Sequence, residues 1–512
     1  MATSVDASKN GNWKRKELWF LVIYAIVFYV IIINRSLQLS SDYYRQLSGL
    51  RPGWLLAHHL NDVSDAQWRN FRGNLPVLTL VFGIFTLLAY LMRAFFNLRV
   101  RGMSIVWLVF SLTYLSYLHG AWQQWAFLDN YRGSFRWHIC FNFVALRMIS
   151  FAFDYHWTNR DSHFDQELAI SMSNAHFVME LSIISVVIFV NPENLAIKFY
   201  RFVTASYFDG LSFITDLDLP QNTNSVRNVT LNGFRWILSF LLMELMTHLF
   251  YYNAFANSDL WKHLSPMDVF IIGYGVLNFM WLKFLLIWRF FRLWSLINGI
   301  EAPENMPKCI NNCHNLEGFW KNWHASFNKW LVRYIYIPLG GSKKKLLNVW
   351  VIFTFVAIWH DLEWKLLSWA WLTCLFFIPE LVFKSAAKAF QAQSSFGACI
   401  FRELSAVAGA VTITCLMVAN LVGFVVGPSG INWLLSSFLH KEGLPVLGGM
   451  LMTFYVGTKI MFHIDEAKQQ SVLGVSNPLQ NHVLDLAISS GDFLFIERFP
   501  DEFVHQVESR VF

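Results

Sequence analysis

Apolar residues along this chain form long runs that are separated by shorter polar segments. Most of the runs are long enough to cross, or nearly cross, the about 30 Å hydrocarbon core of a bilayer as a helix. The pattern therefore predicts about eleven transmembrane helices. The runs are Leu18–Ile33, Leu75–Phe96, Met103–Leu118, Trp137–Phe153, Phe177–Val190, Phe234–Tyr251, Val269–Phe291, Leu346–His360, Leu366–Phe383, Ala406–Val426 and Leu444–Met461.

One stretch, Leu316–Trp371, departs from this pattern. Its first part, Phe319–Tyr336, is too polar to face lipid and too aromatic for an ordinary solvated loop. A glycine pair and three lysines follow, and then an apolar run that ends at His360. An ionisable residue at the edge of an apolar span is costly to hold there, so it is a candidate for a functional site.

Composition agrees with a membrane protein. Of the 512 residues, 55% are hydrophobic, 17% aromatic and 14% charged, whereas about a quarter of a soluble domain is charged. The predicted fold class is an all-α, polytopic membrane bundle. We predict a polar N-terminal segment at residues 1–16, a transmembrane domain at 17–464 and a polar tail at 465–512.

The net charge of +6 is best explained by basic loops beside anionic headgroups, and nucleic-acid binding is a poor interpretation of it. Six scattered cysteines indicate no disulfide framework. Cys309 and Cys313, beside His314, lack the further ligands that a zinc site needs, so no metal is predicted. A thiolate at Cys309 could hold haem iron or carry a palmitoyl group, but small thiols at a membrane edge are the simpler interpretation.

Residues of the atypical stretch resemble the membrane-bound O-acyltransferase (MBOAT) family. The resemblance rests on an ordered series of motifs: Phe319-Trp320-Lys321-Asn322-Trp323-His324-Ala325-Ser326-Phe327-Asn328-Lys329-Trp330, then Tyr336-Ile337-Pro338-Leu339-Gly340-Gly341, then His360. The segments around Cys309 and Trp359 are similar to the glycerol-uptake-protein (Gup) branch, which is related to Hedgehog acyltransferase. The family's fold implies that the catalytic segment is re-entrant or interfacial.

The resemblance implies transfer of a fatty acyl group from acyl-CoA to a hydroxyl inside the membrane. His360 matches the family's catalytic histidine, and His324 matches a second position that is His, Asn or Asp in different branches. An apolar surround favours a neutral imidazole at His360, as a general base requires. His324 would orient the acceptor hydroxyl or donate to the carbonyl oxygen as charge develops.

Several nearby residues are candidates for substrate binding. Cations suit the phosphates of CoA, which would attract them by charge. The alternatives are membrane-interface anchors for the tryptophans and an ordinary cytosolic basic loop for the lysines. The candidates are Trp320, Trp323, Asn328, Trp330, Arg333, Lys343, Lys344 and Lys345.

Within the Gup branch the resemblance points to a lipid acceptor in the endoplasmic reticulum, a lyso-glycosylphosphatidylinositol (GPI) or similar lysophospholipid. Three alternatives stay open: acylation of a secreted protein, a pseudoenzyme that binds acyl-CoA, and a transporter related to glycerol uptake. A transporter should show inverted repeats or broken half-helices, which this sequence lacks.

The sequence departs from the Gup branch at one place. Residues Asn174–Ile214 lack the segment similar to Pro-Leu-Tyr-Ile-Ala-Gly-Pro that the branch leads us to expect.

Polar residues inside the predicted spans indicate either an interior cavity or hydrogen bonds between helices. Residues Leu217–Asn232 form a predicted polar loop, and the glycosylation sequon at Asn228 makes it a candidate lumenal loop. The interior polar residues are Asn142, Arg147, Glu244, His248, Asn278 and Lys283.

Overall fold

The computed structural model of the chain describes residues 2–55, 59–96, 226–297, 302, 304–360, 363–389 and 395–472. These residues are almost entirely helical, which confirms the predicted all-α class. The helices are α1 (Ala2–Tyr43), α2 (Ala66–Phe96), α3 (Val226–Leu249), α4 (Tyr252–Ala256), α5 (Pro266–Ile297), α6 (Leu316–Asn322), α7 (Ala325–Leu331), α8 (Lys345–His360), α9 (Trp364–Ala389), α10 (Ser395–Leu421), α11 (Ile431–Leu439) and α12 (Leu444–Val472).

Seven of the described helices are long and apolar enough to cross a membrane. They coincide with seven of the predicted apolar runs, and three other runs, within residues 103–190, lie outside the described residues. The run at Leu346–His360 forms α8, which has 16 residues and is therefore about 24 Å long. Helix α8 is thus shorter than the about 30 Å hydrocarbon core is thick.

Helix α5 is the centre of the bundle, and much of its length is buried between α3, α10 and α1. Its first turn is fixed by Asp268, which accepts two hydrogen bonds from Arg35 of α1 at 2.7 and 2.9 Å. Ser265 caps the same turn by accepting from the Asp268 N–H at 3.2 Å. The negative side chain also suits the positive end of the helix dipole.

A short antiparallel hairpin, β1 (Leu50–Pro52) with β2 (Leu60–Asp62), is the only sheet in the part of the chain that the structure describes. It is attached to the bundle through Asp62, whose carboxylate accepts from the Ala254 N–H at 2.9 Å and from Ser64. Burial raises the pKa of Asp62. The hairpin packs on α3 and α4 through β2.

The predicted loop at Leu217–Asn232 is wrong in its second part. Helix α3 begins at Val226, so the sequon at Asn228 lies in the first helical turns. The polar side chains there are satisfied within the helix: Thr230 donates to the Val226 carbonyl at 2.8 Å and Asn232 donates to that of Asn228 at 2.9 Å. The polar residues that predicted a loop belong to the exposed first turns of a helix. Loops and exposed helix ends are both polar, so polarity alone does not separate them.

Glu244 is fully buried on α3, where it joins three parts of the fold. Arg72 of α2 donates to both of its carboxylate oxygens, with Nη2–Oε2 at 2.8 Å, and the Trp54 indole donates at 2.6 Å. His248 donates to the Glu244 carbonyl at 2.7 Å and accepts from the Trp54 N–H at 3.3 Å. These interior polar residues therefore bond between elements, as one of the two predicted alternatives required.

We expect Glu244→Ala to lower the free energy of unfolding by about 3 kcal/mol, because it leaves the Arg72 guanidinium partly buried without its counter-charge. Thermal melting of the purified protein in detergent measures this loss. The control is Glu363→Ala, which removes an exposed pair with Lys365 and should cost about 1 kcal/mol or less. Equal melting temperatures for the two variants would contradict a structural role for Glu244.

Candidate functional site

A cavity of about 1680 Å³ lies inside the bundle. It is larger than the pockets of about 300–1,000 Å³ that hold drug-sized ligands. Along α5 its wall runs from Tyr274 to Trp288, which are fourteen positions apart and hence about 21 Å apart along the helix. The remaining walls come from α1, the start of α2, α4, α6 to α10, α12 and several connecting segments, so the cavity extends through much of the membrane domain. Its size and length suit an extended apolar chain together with a second molecule.

His324 lines the cavity at the junction of α6 and α7. Asn315 caps α6 by accepting from the Gly318 N–H at 2.6 Å, and the helix ends at Asn322. His324 then adopts a left-handed backbone conformation, with φ 50° and ψ 55°. Such a conformation costs a residue with a side chain about 1–2 kcal/mol, so surrounding contacts must stabilise it. Helix α7 begins directly after this turn, at Ala325.

His360 is the last residue of α8, and its accessible side chain also lines the cavity. A row of aromatic rings connects it with His324. The Trp359 ring lies 4.9 Å from that of His360 and 4.6 Å from Phe327, and Phe327 lies 5.2 Å from His324. The structure thus brings the two predicted catalytic histidines, which come from different helices, to one cavity.

The electrostatic environment of His324 favours the uncharged imidazole. Burial is the main cause and the nearby His360 imidazole the second, and together they lower the pKa of His324 to about 3. The Trp288 ring packs against it at 4.5 Å and excludes water from that side. At neutral pH the ring is therefore neutral, with one nitrogen as donor and the other as acceptor.

The predicted substrate-binding residues divide into two groups. Trp320, Trp323 and Asn328 line the cavity beside the histidines. Trp330 does not: it is fully buried and stacks at 6.2 Å on Phe327 and at 5.8 Å on Phe355. Its position supports the wall of the cavity from behind.

The predicted cationic residues lie outside the cavity lining. Lys343 and Lys344 are exposed, after a tight turn in which Gly340 and Gly341 both have positive φ. Arg333 lies over the Tyr334 ring at 5.5 Å.

The third lysine of the run, Lys345, pairs with Glu317 at 3.4 Å. Glu317 also accepts from Lys384 at 2.9 Å. Burial alone would raise the pKa of Glu317, but Lys384, Lys345 and Lys321 together lower it to about 2. The carboxylate therefore stays charged and ties the basic run to α6 and α9.

Sequence reasoning missed one polar pair on the cavity wall. Lys283 of α5 donates to Asp65 at 2.8 Å, and both residues line the cavity. Lys283 was predicted as an interior polar residue, but Asp65 was not, because it precedes α2 in a connecting segment. It caps that helix by accepting from the Trp68 N–H at 2.6 Å, and only the cap pattern could have indicated it.

Cys309 also lines the cavity, in the segment between α5 and α6. Burial raises the pKa of its thiol to about 11. The group is therefore a neutral thiol at physiological pH, whereas the thiolate is the form that binds metals. Cys313, whose Sγ donates to the Cys309 carbonyl at 3.7 Å, lies in the same wall.

Comparison with known proteins gives a consistent picture. Residues 105–421 match the profile of MBOAT, the membrane-bound O-acyltransferase family. The chain is 31% identical to "Membrane-bound O-acyltransferase gup1" of Schizosaccharomyces pombe, over 81% of this chain and 82% of that protein. It is 30% identical to "Membrane-bound O-acyltransferase GUP1" of Saccharomyces cerevisiae, over 91% and 94% of the two chains.

A shorter match, 30% identical over 26% of this chain and 28% of the relative, is to "Protein-cysteine N-palmitoyltransferase HHAT" of Mus musculus. The family match covers well over half of the chain and includes both histidines of the cavity. The predicted resemblance is therefore confirmed: the chain belongs to the membrane-bound O-acyltransferase family, in the branch of the Gup and HHAT-like proteins, and is an acyltransferase.

Proposed function

We propose that this acyltransferase moves a long-chain fatty acyl group from acyl-CoA to a hydroxyl of a lysolipid, of the lyso-GPI or lysophospholipid class. The observation that carries the proposal is the meeting of His324 and His360 at one long cavity between membrane helices. A cavity of this kind admits two amphipathic substrates whose chains share an apolar space.

In the proposed reaction His360 accepts the proton of the acceptor hydroxyl while the oxygen attacks the thioester carbonyl. The new C–O bond gives a tetrahedral oxyanion, to which His324 donates a hydrogen bond. Collapse of this intermediate breaks the C–S bond, and the proton on His360 passes to the departing sulfur. The products are the ester and CoA as a free thiol, so no metal or redox step is needed.

The cavity wall also supports a polar acceptor. Lys283 is almost entirely buried, with 5% of its surface exposed, and its partner Asp65 faces the same space. Nearby Asn253 and Lys262 add further polar groups to the lining. Such groups would bind the headgroup hydroxyls or phosphate of a lysolipid, whereas an acyl chain prefers the apolar wall of α1 and α12.

We expect His360→Ala to reduce acyl transfer by about 10²–10⁴-fold, because a general base contributes that much. The measurement uses purified protein, radiolabelled long-chain acyl-CoA and lysophosphatidylinositol, with label followed into lipid. The matched control is His440→Ala, since His440 is exposed and lies outside the cavity lining. Unchanged transfer by His360→Ala would exclude His360 as the base.

The same assay separates acceptors. Label that appears in lysolipid with the native chain supports the lipid acceptor. Label that appears only in an added secreted protein would replace it with the protein-acylating alternative. Acyl-CoA binding without transfer to either acceptor would contradict the enzymatic proposal and favour a regulatory role.

We also propose that Lys343 and Lys344 attract the phosphates of CoA. The double substitution Lys343→Gln/Lys344→Gln should raise the KM for acyl-CoA about threefold to tenfold and leave kcat unchanged, because these exposed charges act on encounter. The rise in KM with salt should be weaker in the variant. Lys441→Gln, which removes an exposed lysine elsewhere, is the control. An equal effect of both variants would contradict the assignment.

The endoplasmic reticulum is the proposed location, since a lysolipid of this class and acyl-CoA meet at its membrane. Fluorescently tagged protein should overlap with a marker of that membrane. Concentration at the plasma membrane would contradict it.

A further inference from the structure

The backbone at His324 is held in place by a neighbouring segment that does not touch the cavity. Among the described residues, His324 is the only non-glycine residue with positive φ. Residues with side chains rarely adopt this conformation, so it persists only where the surroundings impose it. The direction in which the imidazole points depends on this backbone.

Asn305 supplies the contacts that follow His324 directly. Its carbonyl accepts from the Ala325 N–H at 3.0 Å. Its side-chain Oδ1 accepts from the Ser326 N–H at 3.0 Å and from the Ser326 hydroxyl at 2.8 Å. One residue thus makes three hydrogen bonds to the two residues after His324. Asn305 is 2% exposed and Ser326 is 7% exposed, and neither lines the cavity.

Glu304 fixes Asn305 in turn. One oxygen of its carboxylate accepts from the N–H groups of Asn305 and Met306, at 3.1 and 3.3 Å. The other oxygen accepts from Arg289 of α5 at 2.8 Å. Burial would raise the pKa of Glu304, but the charges of Arg289 and Arg292 hold it below its ordinary value. The carboxylate therefore remains an acceptor for both N–H groups.

The network returns to the cavity through α5. Arg289 follows Trp288, whose ring packs on His324 at 4.5 Å. Arg292, one turn later, donates to the Ala302 carbonyl at 2.7 Å and so fixes the beginning of the same segment. The backbone and the ring of His324 are thus both positioned from one end of α5.

We propose that Asn305 is a positioning residue for acyl transfer: with Glu304 and Arg289 behind it, it holds His324 in the left-handed conformation that aims the imidazole into the cavity. This inference rests on the proposed role of His324 in transfer. Asn305 acts through His324 and makes no contact with substrate, so its loss should change turnover and not the binding of acyl-CoA.

A double-mutant cycle tests this dependence. Asn305→Ala should lower kcat by about 10²-fold, because small misplacements of a reacting group cost that much, with the KM for acyl-CoA changed less than about twofold. In a His324→Ala background the same substitution should lower kcat by less than about twofold, since residues that act as a unit are not additive. An equal loss in both backgrounds, or no loss in the first, would overturn the proposal.

Asn348→Ala is the matched control. Asn348 is 1% exposed and donates to the Gly341 carbonyl at 2.8 Å, so its removal also deletes a buried amide. Because its hydrogen bonds do not reach His324, its effect should be the same in both backgrounds. If Asn305→Ala does not fold, Ser326→Ala serves instead. It removes one of the three hydrogen bonds and should give a smaller, equally His324-dependent loss. A loss independent of His324 would overturn the proposal.

A second measurement does not depend on turnover. Hydrogen–deuterium exchange at single-residue resolution should show the Ser326 amide exchanging at least about tenfold faster in Asn305→Ala, because its acceptor is gone. Amides in α10 should be unchanged. Unchanged exchange at Ser326 would overturn the proposal even if transfer is seen. Conversely, if the native chain transfers no acyl group to a lysolipid, the proposed function fails while the exchange experiment still decides whether Asn305 holds this turn.

Discussion

Polar side chains inside a bundle that lipid surrounds must find their partners within the protein, since lipid offers none. This constraint governs the structure at each level. Glu244 is bonded by Arg72 and Trp54, and Asp268 by Arg35, so that each buried carboxylate also joins two helices. Glu304 does the same for the segment that precedes α6. The carboxylates, which are costly to bury, thus make the contacts that define how the helices pack.

The candidate site obeys the same constraint, but its polar side chains lie on the wall of a cavity. The side chains of His324 and His360 lie on the wall of an interior space. As neutral imidazoles they need no ion-pair partner there. Aromatic rings separate them from lipid and fill the surrounding wall. A neutral imidazole is the form that such surroundings favour, and it is also the form that can accept a proton from an alcohol. In our proposal the low polarity of the site makes a charged imidazole costly, and it thereby keeps the histidines in the neutral form that the reaction needs.

Much of the fold could be predicted from the sequence because it depends on local signals. Apolar runs such as Val269–Phe291 are helices because nothing else satisfies the backbone in lipid. The ordered motif around His324 predicted residues that the structure brings to one cavity. The direction in which each side chain points was harder to predict. Trp330, for example, belongs to the core, although its neighbours Trp323 and Asn328 line the cavity.

Contacts between distant residues could not be predicted at all. Asp65 pairs with Lys283 across 218 positions, and Asn305 bonds Ser326 across 21. A helix-cap pattern marks Asp65 and an apolar span marks Lys283, but no local pattern indicates which distant residue each side chain bonds, since Asp and Asn are also common in connecting segments. The left-handed turn at His324 could not be predicted either, because glycine is the residue whose presence normally indicates this backbone conformation.

The central claim is that His324 and His360 face the same bound thioester. A cryo-EM structure of the full chain with a long-chain thioether analogue of acyl-CoA, which cannot react, tests this most directly. Our account predicts density for the acyl chain along the apolar cavity wall of α1 and α12, with the thioether sulfur beside both imidazoles. An analogue bound with its sulfur away from the two histidines, or outside the cavity, would contradict the account.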